Sequence, residues 1–194
     1  VLVAGFWSLH TAPDWSPPPA LAAFLDAGPP PVYVGFGSMA GSDPARTART
    51  VVAALEAAGV RGLLASGWDG LAADALPETV AMVEQAPHEW LFARCAAVVH
   101  HGGAGTTAAG LTAGRPTVVC PFFGDQPFWG GRVEALGVGP APVPQKRLTA
   151  EALAAAIRQA TTSEPMRQRA EALGETLRAE DGVGEAVRFI EALA

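Results

Sequence analysis

The apolar positions of the chain fall into short continuous runs separated by amphipathic stretches. VYVGFG (32–37), RGLLAS (61–66), TVAMVEQ (79–85), AAVVHH (96–101) and PTVVCP (116–121) each read as a strand, and VGPAPVP (138–144) as a short last one. The runs are continuously apolar rather than alternating, the pattern of strands covered on both faces. Helical stretches lie between them: Pro44 to Ala58, capped by Asp43 and closed by Gly59; His88 to Arg94; about Thr106 to Ala113; and Gln126 to Leu136. Three more helices follow at 149–161, 165–179 and 184–193, the first capped by Thr149 with Glu151, the last entered through Gly182-Val183-Gly184. This alternation predicts an α/β fold, a Rossmann-like, mostly parallel sheet with helices on both faces. Such a sheet binds its ligand beyond the carboxyl ends of the strands.

Residues 1–31 break the pattern. Pro13, Pro17-Pro18-Pro19 and Pro29-Pro30-Pro31 bracket one short helix, ALAAFLDAG, expected to end at Gly28 as a C′ glycine. Proline clusters at both ends suit a semi-rigid linker. The chain starts without Met in an apolar run, which reads as a fragment of something longer.

Composition narrows the function classes. Of 194 residues 49% are hydrophobic and 16% charged, which supplies a core and excludes intrinsic disorder. Thirteen basic against 19 acidic residues give a net charge of −6, so no nucleic acid partner and no anionic-lipid footprint is expected. Cys95 and Cys120 both sit in apolar runs and read as buried, reduced core thiols. No apolar run reaches the ~18 residues of a membrane span. The start, VLVAGFWSLH, lacks the positive region of a signal peptide. The expected setting is therefore cytoplasmic.

Five strand ends carry glycine-rich or polar residues, and their convergence on one sheet edge is the main functional signal. His100-His101-Gly102-Gly103-Ala104-Gly105-Thr106-Thr107 ends a strand and opens a helix. Glycines let a ligand approach the backbone, and a helix start offers free N–H groups and partial positive charge, which suits a diphosphate. Thr106 and Thr107 can add hydroxyl donors. The alternative is a tight turn with no ligand. The turn has neither GxGxxG spacing nor GK[ST], which disfavours dinucleotide folds and P-loops. His100 and His101 point to opposite faces of a strand and do not chelate one metal, so one should face the ligand and the other the interior.

Asp125 and Gln126, after the next strand, can together accept and donate hydrogen bonds to sugar hydroxyls; the alternative is an N-cap aspartate beside a surface glutamine. Gly35-Phe36-Gly37-Ser38 permits close approach, with Ser38 a donor to phosphate or sugar. Ala86-Pro87-His88 can present backbone groups to a base edge. Ser66-Gly67-Trp68 follows the second strand, Trp68 being core or a stacking platform.

Taken together, APHEWLF and VVHHGGAGTTAAGLTAGRPTVVCPFFGDQPFWGGRVEALGVG resemble the nucleotide-sugar box of the family-1, GT-B-fold glycosyltransferases. PPPVYVGFGSM, SGW and PFFGDQPFWG are most similar to the sterol glucosyltransferase branch and its bacterial natural-product relatives. The resemblance implies the C-terminal, donor-binding half of a two-domain inverting enzyme that moves a hexose from a UDP- or dTDP-sugar to a hydroxyl of a lipophilic acceptor. It implies a linker over 1–31, a donor-binding domain over 32–181 and a helix over 182–194 that packs on an N-terminal acceptor domain. Any peripheral membrane contact would run through that domain. His101, the amides of Gly103, Gly105 and Thr106, the Thr106 hydroxyl and Ser38 would hold the pyrophosphate. Ala86 and His88 would lie at the base, Asp125 and Gln126 at the sugar. Plant members place Trp at position 85 and Glu at position 109, where this chain has Gln85 and Ala109.

The chemistry this implies needs charge stabilisation at the leaving diphosphate, which a helix N-terminus with His101 and Thr106 supplies without cofactor or metal. There is no DxD motif. The base that activates the acceptor would lie on the other half, so no catalytic residue is expected in this chain. A non-catalytic nucleotide-sugar binding module is the alternative from another class, and a non-hydrolysing epimerase a third.

Overall fold

The computed structural model of the protein describes residues 1–7, 10–37, 43–65 and 76–193. Five strands, β1 (Val32–Gly35), β2 (Gly62–Ala65), β3 (Val80–Val83), β4 (Ala97–His100) and β5 (Thr117–Val119), form one sheet in the order β3-β2-β1-β4-β5. Every pairing is parallel, with Val34 beside Leu64 and Val99, and Gly35 beside His100. All five carboxyl ends therefore share one edge.

Helices cover both faces. α2 (Pro44–Ala58) and α6 (Ala150–Thr162) bury Val51, Leu55, Leu153 and Ile157 against Val32, Val34, Leu64, Val99 and Val118. On the other face α1 (Pro19–Asp26) and α3 (His88–Phe92) pack Leu21, Leu91 and Phe92 on Tyr33, Leu63 and Val98. Beside them α4 (Ala104–Thr112), α5 (Gln126–Ala135) and α7 (Glu164–Arg178) enclose Leu111, Val119, Val133 and Ala170. Alternate residues of each strand thus feed two separate cores, which is why the strands read as unbroken apolar runs. Cys95 and Cys120 are buried and unpaired, and burial pushes each thiol up to about 12.

Local signals explain the best-defined ends. Asp43 accepts the Arg46 N–H at 2.9 Å, and Gly59 closes α2 in the left-handed region at φ 69°. Thr149 accepts the Ala152 N–H at 3.2 Å and caps α6. α8 (Gly182–Glu191) starts two residues earlier than the pattern suggests, because Asp181 accepts the Gly184 N–H at 2.9 Å.

One expectation fails and one is met in position only. The short strand over 138–144 does not form. Pro140, Pro142 and Pro144 remove every second N–H, and the segment is fastened to β5 only by scattered bonds, Thr117 N to Val138 O at 3.0 Å and Val143 N to Val119 O at 2.9 Å. Gly28 does take the C′ position, one residue after the Ala27 C-cap, but not in left-handed geometry. α1 ends through Ala27 in right-handed geometry, and Gly28 instead leaves room for Arg61, whose Nη1 donates to Pro29 O at 2.9 Å while its guanidinium lies 4.1 Å from the Phe24 ring centre.

The segment expected as a linker is packed on the domain. Glu89 of α3 accepts the Thr11 N–H at 2.6 Å and the Thr11 hydroxyl at 3.1 Å, and pairs with His10 at 3.1 Å. Trp15 meets Trp90 with ring centres 4.9 Å apart. Among the described residues no helix is long and apolar enough to cross a membrane.

Candidate functional site

The chain leaves β1 toward β2 and leaves β4 toward β5, in opposite directions along the sheet. The ends of these two neighbouring strands are the topological switch point, where open α/β sheets bind ligands. Gly37 follows β1 with φ 57°, and a Cβ there would lie 3.7 Å from His101 Cε1. His101 follows β4. Its ring lies between Gly37 and Gly103, at whose position a Cβ would sit 2.6 Å from His101 Nε2. Glycine at 103 therefore leaves the space the imidazole occupies.

α4 starts at this point without a side-chain cap. Gly103 is the N-cap in extended geometry, and the first helical bond runs from Thr107 N to Gly103 O at 2.9 Å. The N–H groups of Gly103, Ala104, Gly105 and Thr106 precede that bond and remain open, at the positive end of the helix dipole. Among the described residues the half-buried Thr106 hydroxyl makes no bond. Thr107 departs from expectation: it is fully buried and its hydroxyl donates to Gly103 O at 2.9 Å, so it braces the turn and offers a ligand nothing.

The two histidines divide as their alternation predicts, with rings 86° apart. His100 is fully buried, and its Nδ1 accepts the Gly102 N–H at 2.9 Å. That bond places the ring hydrogen on Nε2, which is buried and has no partner. Burial, with smaller contributions from His101 and His88, lowers its pKa to about 3. His101 is half-buried. Desolvation lowers its pKa, opposed by the Asp125 carboxylate, and its Nδ1 is buried without a partner. The Nε2 edge of His101 is the part of the ring nearest Gly103, and beside the open N–H groups of the helix start it makes an arrangement an anion would complete.

Asp125 and Gln126 open α5 on the far side of the turn. Asp125 occupies the N-cap position but makes no cap bond; its Oδ2 accepts from Trp129 Nε1 at 2.9 Å, and the residue is exposed. Gln126 is buried. Its Oε1 accepts the N–H groups of Phe122 at 2.8 Å and Phe123 at 3.2 Å, which fixes the amide orientation. The pair can thus offer one carboxylate oxygen of Asp125 and the NH2 of Gln126, but not the Gln126 oxygen, which is narrower than the sequence suggests. The turn and α5 are in contact: a Cβ on Gly102 would lie 3.1 Å from Gln126 O.

A cavity of about 490 Å³ opens beside the β3 end, lined by Ala86, His88, Tyr33, Leu91 and Trp15 among others. No backbone bond among the described residues engages Ala86. The His88 ring lies flat on Phe92, centres 4.4 Å apart and planes 15° apart, and desolvation of that packed side lowers its pKa. Tyr33 extends over Gly35, and burial raises its hydroxyl to about 12. Ala109 packs on the Tyr33 core and offers the cavity no polar group. Ser38 and the Ser66-Gly67-Trp68 group lie outside the described residues. Sequence reasoning missed Trp15; an isolated aromatic before three prolines carries no sign that it lines a cavity. Among the described residues no group of three or more His, Cys, Asp or Glu side chains could hold a metal ion.

The family model for the erythromycin biosynthesis protein CIII-like C-terminal domain matches residues 52–193. A sterol 3-beta-glucosyltransferase of Arabidopsis thaliana is 46% identical, over 96% of this chain and 29% of its own length. A sterol 3-beta-glucosyltransferase of Emericella nidulans is 45% identical, over 98% of this chain and 14% of its own. Among solved structures, a glycotransferase of kitacinnamycin aligns with TM-score 0.74 and 25% identity, covering 97% of this chain and 47% of that one. The calicheamicin glycosyltransferase CalG4 aligns with TM-score 0.70 and 22% identity, covering 94% and 44%. The chain thus spans less than a third of these curated relatives and about half of these solved structures.

Proposed function

The chain belongs to the erythromycin biosynthesis protein CIII-like C-terminal domain family of GT-B glycosyltransferases, and from that premise we propose that it is the donor-binding half of an enzyme transferring a hexose from a UDP- or dTDP-sugar. The observation that carries this reading is the uncapped start of α4 at the switch point, with four open N–H groups and the His101 ring beside them. The diphosphate would lie on the amides of Gly103, Gly105 and Thr106, with the Thr106 hydroxyl and His101 on its oxygens. Ser38 would join them from the β1 side. As the glycosidic bond to the diphosphate breaks, the negative charge on the leaving oxygens grows. Amides already aimed at that position stabilise it without reorganisation and without a metal. The sugar would face Asp125 and the Gln126 amide, and the base would enter the cavity beside Ala86 and His88.

The acceptor, a lipophilic alcohol such as a sterol, and the base that takes its proton would come with an N-terminal half. In this reading residues 1–31 connect the halves and α8 packs on the first one. The exposed Val183, Val187 and Ile190 on α8 support that placement. The chain alone would hold a donor without transferring it, because donor, acceptor and base must be within reach together.

Thr106→Ala tests the diphosphate site. It should weaken UDP binding by about 1–2 kcal/mol, the scale of a hydrogen bond to a charged group. Calorimetric affinities equal to the parent would remove Thr106 from the site. Gln126→Ala tests the sugar side. The gain in affinity on going from UDP to the UDP-sugar should vanish, while UDP itself binds nearly as before; a large loss for UDP alone would reassign Gln126.

A further inference from the structure

The cavity beside Ala86 needs a flat surface to hold a base. Gln85 is exposed and not aromatic. The His88 ring is already stacked on Phe92. Tyr33 is buried, with its hydroxyl run over Gly35. Among the described residues that leaves Trp15, a half-buried indole from the proline-rich segment that forms part of the cavity wall.

Its position is built, not incidental. Its ring meets Trp90 at 63° with centres 4.9 Å apart, so the two indoles pack at an angle and do not lie flat on each other. Trp90 is itself pinned by the Arg94 guanidinium, 4.1 Å from its ring centre. Thr11, four residues before Trp15, donates both its N–H and its hydroxyl to Glu89. A turn closed by Trp15 N donating to Ala12 O at 3.0 Å then aims the indole back at the domain. The Thr11–Glu89 and Trp15–Trp90 ties both converge on α3, the helix that starts at the cavity.

We infer that Trp15 is the stacking platform for the nucleobase of the donor, held over the cavity by the clasp between Glu89 and Thr11 and by Trp90. The inference rests on the donor-site reading above and adds its base-recognition element. Stacking accepts any planar base, so Trp15 contributes affinity, and the backbone at Ala86 is left to read the base edge.

The test compares two probes that share the diphosphate and differ in the base, UDP and inorganic pyrophosphate. They are titrated into the parent, Trp15→Ala, Trp15→Phe and Glu89→Ala. Trp15→Ala should weaken UDP about tenfold, within the range of one base–aromatic stack, and leave pyrophosphate unchanged. Trp15→Phe should retain UDP affinity within about threefold, because a smaller ring still stacks. Glu89→Ala should lose part of the UDP affinity and none of that for pyrophosphate. UDP binding by Trp15→Ala within twofold of the parent would overturn the inference and leave the diphosphate site standing. Equal losses for both probes would overturn it too, since the effect would not involve the base. A parent that binds neither probe would overturn the donor-site reading and this inference with it.

Discussion

Acidification from pH 7 to pH 5 is expected to cost the fold about 2 kcal/mol through His100 alone. The ring is fully buried and its pKa is lowered from 6.5 to about 3. The unfolded chain therefore binds a proton there below pH 6.5 while the folded chain does not. Stability rises with pH across this window and falls as pH drops from 6.5 toward 3, by up to about 1.4 kcal/mol per unit. Protonation would place a hydrogen on Nδ1, which accepts the Gly102 N–H, and would add charge where Nε2 has no partner. His100→Asn supplies an acceptor near Nδ1 and cannot titrate. Urea unfolding of parent and variant at pH 7 and pH 5 reads the effect as a change in their stability gap. The gap should shift by about 2 kcal/mol in favour of the variant; an unchanged gap would show that His100 titrates normally.

Gly102→Ala should destabilise the protein by about 3 kcal/mol, from two separate causes. Its φ is 93°, a region that costs a side chain about 1–3 kcal/mol. A Cβ would also meet Val119 Cγ1 at 2.7 Å and the Gln126 backbone oxygen at 3.1 Å, and forcing atoms into a packed core costs about 1–3 kcal/mol. Gly103→Ala is the control. Its φ of −62° suits alanine, so stability should hold within about 1 kcal/mol, while the new methyl displaces the His101 ring and weakens diphosphate binding. A loss below about 1 kcal/mol for Gly102→Ala would show that the turn adapts.

What the sequence disclosed follows the range of the interactions involved. The limits of α2 were legible because Asp43 and Gly59 act within one turn of the helix ends they set. The parallel sheet was legible because burial on both faces makes its strands continuously apolar. The division of labour between His100 and His101 follows from strand alternation. The region 138–144 misled because its valines and prolines share an apolar look, and only the missing N–H groups tell them apart. Thr107 and the Gln126 oxygen were read as ligand groups because their own backbone partners, Gly103 O and the N–H groups of Phe122 and Phe123, are fixed by loop geometry. The clasp of Glu89 on Thr11 pairs positions 78 residues apart and left no local trace.

The uncapped start of α4 as a metal-free diphosphate site is the centre of this account. Calorimetric titration of UDP-glucose into the chain, with and without EDTA, tests it most directly. Saturable binding of one donor per chain is expected, with the same affinity in the presence of the chelator. Binding that disappears on chelation, or no binding of UDP-glucose or UDP at any concentration, would contradict it.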